Sequence, residues 1–294
     1  RAPAPPAPVQ AEKLSAALAR LRETTPEAPE APAAAEEPPA PAPTGQPAPH
    51  PRPAKPWLGK AFRTLAGRDA SSAGRLLLAL LPAQRVADPH PVVYDLVLGD
   101  LATARVTVSS ASAEVDLGDA PRPLSEVDFQ LVGDLASMAR LLAAGPVRRR
   151  LGRLVPRHPV ARIRGDRSRF RALEHLIDAP LTLGQLRAAG VRLDPVLAMT
   201  VAALMIEPDW TAGERFTIGH RVQDAASPDA YLHVRDGKPS LASAEPPHGP
   251  VTSVLVCPAD EVLDGLAGTT PARLEGEERP LALLRQWLDR AQSG

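Results

Sequence analysis

Hydrophobic and polar positions divide the chain into an unpatterned arm and a long patterned body. From Trp57 to position 81 apolar residues recur at helical spacing (WLGKAFRTLAG, then GRLLLALL), stopping before Pro82. Alternation then takes over. In VVYDLVLG (92–99) it sets Tyr94, Leu96 and Leu98 on one strand face, and in ARVTVSS (104–110) it does the same for Val106 and Val108. SAEVDL (112–117) and VDFQLVG (127–133) read as further strands. The second runs into a helix over 135–143 whose buried stripe is Leu135, Met138 and Leu142. VARIRG (160–165) reads as a short strand and FRALEHLI (170–177) as a helix, with Phe170, Leu173 and Ile177 toward the first sheet.

The same order then recurs. A helix over 194–206 ends before Pro208. Strands follow at FTIGHRV (216–222), DAYLHVR (229–235), SLASAE (240–245) and VTSVLV (251–256). A helix over 259–266, with Pro258 at its first position, leads to the strand ARLEG (272–276) and a last helix, PLALLRQWLDRA (280–291). Val262, Leu266, Leu284, Trp287 and Leu288 are expected to face this second sheet. Strands that run together before helices alternate in favour an α+β sheet covered by helices over a doubly wound parallel one.

The recurrence is also visible letter by letter. ARIRGDRSRFRALEHLID (161–178) aligns without a gap on ARLEGEERPLALLRQWLD (272–289), sharing Ala161/Ala272, Arg162/Arg273, Gly165/Gly276, Leu173/Leu284 and Asp178/Asp289. Upstream, LVGDLASMARLLAAG (131–145) matches LVCPADEVLDGLAG (255–268) in the same order. The separation of about 110 residues is the size of a small domain rather than of a solenoid repeat. The chain therefore reads as a tandem of units at 57–180 and 181–294. Before them, residues 1–56 are rich in Pro and Ala, which favours an extended, mobile arm. One island in the arm, VQAEKLSAALARLRE (9–23), puts Leu14, Leu18 and Leu21 on one helical face and reads as a frayed helix or a docking helix.

Composition narrows the chemistry. Lys+Arg and Asp+Glu are equal at 34 each, so net charge gives no argument for nucleic acid. One cysteine excludes an internal disulfide and fits a reducing compartment, so a cytoplasmic location is expected. The longest apolar run, VLAMTVAALMI (196–206), is too short to span a bilayer and suits a buried helix. Aromatic residues make up only 3% against 44% hydrophobic, so aliphatic side chains must build the core.

Few residues invite catalysis. Cys257 sits where a strand meets a helix start, a place that can lower a thiol pKa, yet no base lies near it in sequence, and a buried small hydrophobe is the simpler reading. His220 shares a strand face with Phe216, Ile218 and Val222, as a core histidine or as a head-group contact. No histidine spacing suits a metal, and no P-loop, GxGxxG or GxSxG motif occurs. A basic run stands out instead. Arg148, Arg149, Arg150, Arg153, Arg157, Arg162, Arg164, Arg167, Arg169 and Arg171 share one stretch whose only acid is Asp166. It reads either as a solvated surface or as a footing on anionic lipid or a phosphate-bearing ligand, with Arg148, Arg149, Arg150, Arg153 and Arg157 the proposed contacts.

The order of elements, with [IL]-x-G-[DE] leading into an amphipathic helix, resembles the sterol carrier protein 2 (SCP2-like) domain family. Ile163-Arg164-Gly165-Asp166 with Phe170, Leu173 and Ile177 carries the resemblance in the first unit. Leu274-Glu275-Gly276-Glu277 with Leu281, Leu284 and Leu288 carries it in the second. The strand-into-helix steps Leu131-Val132-Gly133-Asp134 and Leu255-Val256-Cys257-Pro258 add to it. The resemblance implies two five-stranded sheets, each covered by helices around an apolar tunnel for a sterol, fatty acyl group or phospholipid, with no cofactor and no catalysis. It implies tunnel walls at Leu96, Leu98, Phe129, Leu131, Leu135, Met138, Leu142, Phe170, Leu173, Ile177, Phe216, Ile218, Leu284 and Leu288. The copies differ, since PVRRRLGRLVPRHPV (146–160) is inserted in the first, while the strands of the second carry Gly219, His220 and alanines. The expected function is lipid carriage, with transient anionic-membrane contact and a protein partner for the arm. The rival is an interaction module, in which two collapsed units form a pseudo-dimer tethered by the arm.

Overall fold

The computed structural model describes residues 57–86, 88–98, 103–118, 120–143, 161–173, 177, 179–235, 238–240, 242–246, 249–268 and 272–293. The N-terminal arm, its Leu14/Leu18/Leu21 island and Arg148, Arg149, Arg150, Arg153 and Arg157 lie outside them.

The opening helical stretch is two helices, Trp57–Arg68 (α1) and Ala70–Leu80 (α2). Asp69 takes extended backbone between them and its carboxylate accepts from the Ser72 N–H at 3.0 Å, so it caps a fresh helix. After a 3₁₀ turn at Leu81–Ala83 come strands Val92–Val97 (β1), Thr103–Val108 (β2), Ala113–Gly118 (β3) and Phe129–Val132 (β4). Helix Leu135–Ala143 (α3), strand Arg162–Gly165 (β5) and the short helix Arg167–Ala172 (α4) complete the first unit.

The second unit opens with Leu183–Ala188 (α5), a helix absent from the sequence-based expectation. Its signal was there to read, because Thr182 and Gln185 form a reciprocal capping box. Pro195–Met205 (α6) follows, apolar around nearly its whole circumference and buried accordingly. A 3₁₀ turn at Pro208–Thr211 precedes strands Arg215–Arg221 (β6), Ala230–Arg235 (β7), Lys238–Pro239 (β8) and Ser253–Val256 (β9). Helix Val262–Ala267 (α7), strand Arg273–Gly276 (β10) and helix Glu278–Gln292 (α8) close the chain.

Each unit thus contains one five-stranded mixed sheet, in the order β3-β2-β1-β4-β5 and β8-β7-β6-β9-β10. In both, the central pair (β1/β4, β6/β9) is parallel and the other pairs are antiparallel. The registers equate the copies residue by residue. Tyr94 pairs with Phe129, which pairs with Gly165; Ile218 pairs with Ser253, which pairs with Gly276. Asp95 therefore corresponds to Gly219, Arg105 to Tyr231, and Gln130 to Val254.

Four expectations need correction. Among the described residues SLASAE is not a continuous strand: β8 ends at Pro239, Ser240 N–H still donates to the His233 carbonyl at 3.0 Å, and Ser243 meets Tyr231 in an isolated bridge. The helix placed over 259–266 starts at Val262, since Pro258–Glu261 forms a turn closed by Glu261 N–H donating to the Pro258 carbonyl at 3.0 Å. The helix placed over 170–177 ends at Ala172, because Leu173 turns extended and bridges to Val86. Val222 lies beyond the end of β6 and is 36% exposed, so it does not share the buried face of Phe216 and Ile218.

One hydrophobic core runs through both units. Helix α1 of the first packs on α6 of the second. At that seam the Trp57 indole N–H donates to the Leu181 carbonyl at 2.6 Å, and Lys60 pairs with Glu207.

Candidate functional site

The residues expected to wall a tunnel are gathered on the helix-covered face of each sheet. In the first unit Leu96, Leu98, Phe129, Leu131, Met138, Leu173 and Ile177 are buried. Tyr94 stacks on Phe129 with ring centroids 4.8 Å apart, and Phe170 of α4 meets Phe129 edge-on at 5.5 Å. Leu135, Leu142, Ile163 and Phe170 are only partly buried. Tyr94 adds one polar tip to this apolar face. Its hydroxyl donates to Gln84 Oε1 at 2.7 Å, and burial pushes the phenol above its ordinary pKa.

Among the described residues the second unit has the longer covering helix, although Leu274 and Leu283 are also only partly buried. Phe216, Ile218, Leu284 and Leu288 are buried, as are Val262, Leu266 and Trp287. Phe216 stacks on Trp287 with centroids 5.9 Å apart. The covering helices explain the difference. α8 has 15 residues and buries six of them, whereas α4 has 6 residues and buries none.

The glycine of the repeated motif has a geometric cause in both copies. Gly165 and Gly276 take φ of +98° and +88°, the left-handed region. A Cβ there would stand 2.6 Å from the Asp128 carbonyl oxygen, or 2.5 Å from that of Thr252. This close approach lets the next N–H, of Asp166 or Glu277, donate to the same carbonyl at 2.8 or 3.1 Å. The acidic position is less symmetric: Asp166 caps α4 through Ser168, while the Glu277 side chain makes no cap bond.

The candidate reactive groups are strutted. His220 is fully buried, with Nδ1 2.6 Å from Asp229 Oδ1 and Nε2 3.1 Å from the Cys257 carbonyl oxygen. Both nitrogens face acceptors, so the ring ties β6 to the residue before β7 and to the end of β9. The Cys257 thiol is buried and pushed up to about 12, first by desolvation and then by the carboxylates of Glu261, Asp229, Asp260 and Asp264. That is the reverse of what activates a nucleophile. Among the described residues no group of His, Cys, Asp and Glu is placed to hold a metal ion.

Of the basic run, Arg162, Arg164, Arg167 and Arg171 are exposed. Arg169 is not available to a surface. It bonds Asp88 at 2.9 Å, Asp128 at 3.3 Å and the carbonyls of His90 and Pro91, bracing α4 against the start of β1.

The outer face of the first sheet holds what sequence reasoning missed. One cross-strand row, Asp116–Arg105–Asp95–Gln130–Arg164, crosses all five strands in register. Asp95 is 0% exposed, and its Oδ1 accepts from Arg105 Nε and Nη2 at 3.1 and 2.8 Å. Its Oδ2 accepts from the Arg122 N–H at 2.7 Å, and Gln130 donates to the Arg122 carbonyl at 2.6 Å. Beside this row lies a cavity of about 250 Å³ lined by Thr103, Arg105, Asp116, Gly118, Ala120 and Arg122. The sequence signal was a polar residue at the centre of each apolar strand (VVYDLV, TARVTV, FQLV), on the parity opposite to the core.

The chain matches no protein-family model, no curated protein and no solved structure. Among the described residues no helix is long and apolar enough to cross a membrane.

Proposed function

We propose that the chain is a tandem of SCP2-like units that carries an apolar ligand on the inner face of its first unit and catalyses no reaction on it. The observation that carries this reading is that, among the described residues, the cover of that face is incomplete. Leu135, Leu142, Ile163 and Phe170 stay partly exposed around buried aliphatic and aromatic residues, under a helix that buries nothing. Each methylene that a ligand buries against this face returns about 0.8 kcal/mol. The Tyr94–Gln84 pair provides a polar contact of the kind such a slot uses to orient a head group. Exposed Arg162, Arg164, Arg167 and Arg171 beside it suit contact with an anionic membrane at the moment of transfer. The single buried thiol suits a cytoplasmic setting.

A second reading, the pseudo-dimer scaffold tethered by its arm to an enzyme or assembly, is supported by the shared core and the α1/α6 seam. Native mass spectrometry of the gently purified full chain, with uptake of a fluorescent fatty acid, separates the two. Carriage predicts one lipid adduct per chain and uptake that weakens in Tyr94→Phe for acids but not for alkanes. Clean spectra with no uptake would leave the scaffold, which predicts loss of a partner on deletion of residues 1–56.

A further inference from the structure

We propose that the cavity on the outer face of the first sheet binds a small zwitterion, one that carries an oxyanion and an ammonium group a few ångströms apart. This site is separate from the inner face and does not depend on the lipid reading. Its cavity of about 250 Å³ falls below the range of roughly 300–1,000 Å³ that holds drug-sized ligands, so it suits a small polar group.

The second unit acts as an internal control. It builds the same sheet with Gly219, Tyr231 and Val254 where the first has Asp95, Arg105 and Gln130. There the space at the central position is taken: a Cβ on Gly219 would lie 3.1 Å from Pro228 carbons and 3.3 Å from Val251. The fold therefore has no need of a buried carboxylate at this position, and taking one out of water is costly. What Asp95 does is hold a guanidinium. It engages Nε and Nη2 of Arg105, whose Nη1 has no hydrogen-bond partner among the described residues, in the wall of the cavity.

The remaining wall selects the ligand. Arg122 is a second cation, 53% exposed and only loosely paired with Glu126 at 3.6 Å. Asp116 is exposed and sits directly across from Arg105 on β3, which places the two Cβ atoms about 4.5–5.5 Å apart. A plain anion would be drawn to the arginines and repelled by Asp116. A zwitterion satisfies both, its oxyanion on Arg105 and Arg122 and its ammonium on Asp116, with the Thr103 hydroxyl alongside.

The test titrates the full chain with O-phosphoethanolamine by calorimetry, with inorganic phosphate and ethanolamine as separate halves and vesicles containing phosphatidylethanolamine as the lipid source. Asp116→Asn and Arg122→Gln are the variants, and both should keep the wild-type melting temperature because both side chains are exposed. Phosphoethanolamine is expected to bind at least about tenfold more tightly than either half, and Asp116→Asn to weaken it about tenfold. Arg122→Gln should weaken phosphoethanolamine and phosphate together. Vesicle binding that depends on Asp116 assigns the group to a lipid headgroup; binding of the free compound alone assigns it to a soluble metabolite. Equal affinity of Asp116→Asn and wild type, phosphate alone binding as well as phosphoethanolamine, or no binding by any probe would overturn the proposal.

Discussion

The two units share strand order, the central parallel pair and a left-handed glycine under the same carbonyl, yet their faces have diverged in opposite ways. In the second, α8 packs Trp287 on the inner face, and Pro228 and Val251 crowd Gly219 on the outer one. The first is looser within, where α4 buries nothing, and charged without, where Asp95 and Arg105 form a pair at the centre of the sheet. The shared features are those the topology needs: apolar parity along each strand and a residue without a Cβ at the turn. The features that differ are not needed to fold, since the sister unit folds without them. The first unit therefore carries the features that folding alone does not explain.

The largest effect should come from breaking the charged row. Arg105→Met leaves the Asp95 carboxylate buried with one backbone N–H, and is expected to cost about 3–5 kcal/mol in urea unfolding. Importing the second unit's row as the triple Asp95→Gly, Arg105→Tyr and Gln130→Val should cost much less, because no charge is then left unpaired. If the triple is as damaging as the single change, the row is structural and the comparison between outer faces fails.

The inner faces can be contrasted in the same way. Trp287→Ala removes a buried, stacked ring and is expected to cost about 3–5 kcal/mol. Phe170→Ala removes a half-buried one and should cost roughly 1–2 kcal/mol. Thermal melts give both numbers. Equal losses would mean that the first unit is covered as well as the second, and would remove the observation on which ligand carriage rests.

Much of this was legible beforehand, for stated physical reasons. Alternation in ARVTV and the run of apolar residues in VVYDLV located β2 and β1, and the stripe Leu135, Met138, Leu142 located α3 to the residue. The repeated Gly165 and Gly276 marked one backbone conformation occurring twice. The misses came where local pattern met tertiary context. FRALEHLI has helical spacing, but Leu173 finds its burial by bridging to Val86 instead. The five-residue charged row was invisible as a row because its members lie on five separate strands, and only register joins Asp95 to Arg105 and Gln130. A buried Asp–Arg pair and an exposed one look alike in a sequence.

Shared geometry should produce shared cost. Gly165→Ala and Gly276→Ala each force a Cβ into the left-handed region and against a carbonyl oxygen, at 2.6 and 2.5 Å. Each is expected to lose about 2–3 kcal/mol by urea unfolding, and by nearly the same amount. A large difference between them would show that the two turns are alike in letters only.

The smallest expected difference lies one residue further on. The Asp166 carboxyl sits below its ordinary range, held there first by the Ser168 hydroxyl and then by the Ser168 N–H, while Glu277 makes no such cap. A depressed folded pKa contributes stability that is present above the unfolded value of about 3.9 and is lost as pH falls through the folded value. Acid should therefore loosen the start of α4 before it loosens the start of α8. Amide exchange followed from pH 5 downward should show Phe170 losing protection ahead of the first protected amides of α8, since Phe170 N–H donates to the Asp166 carbonyl at 3.4 Å. Asp166→Asn keeps an acceptor for Ser168 and should flatten that pH dependence without abolishing the cap. If both helices loosen together, α4 is no weaker a cover than α8 in acid, and the asymmetry between the units rests on helix length alone.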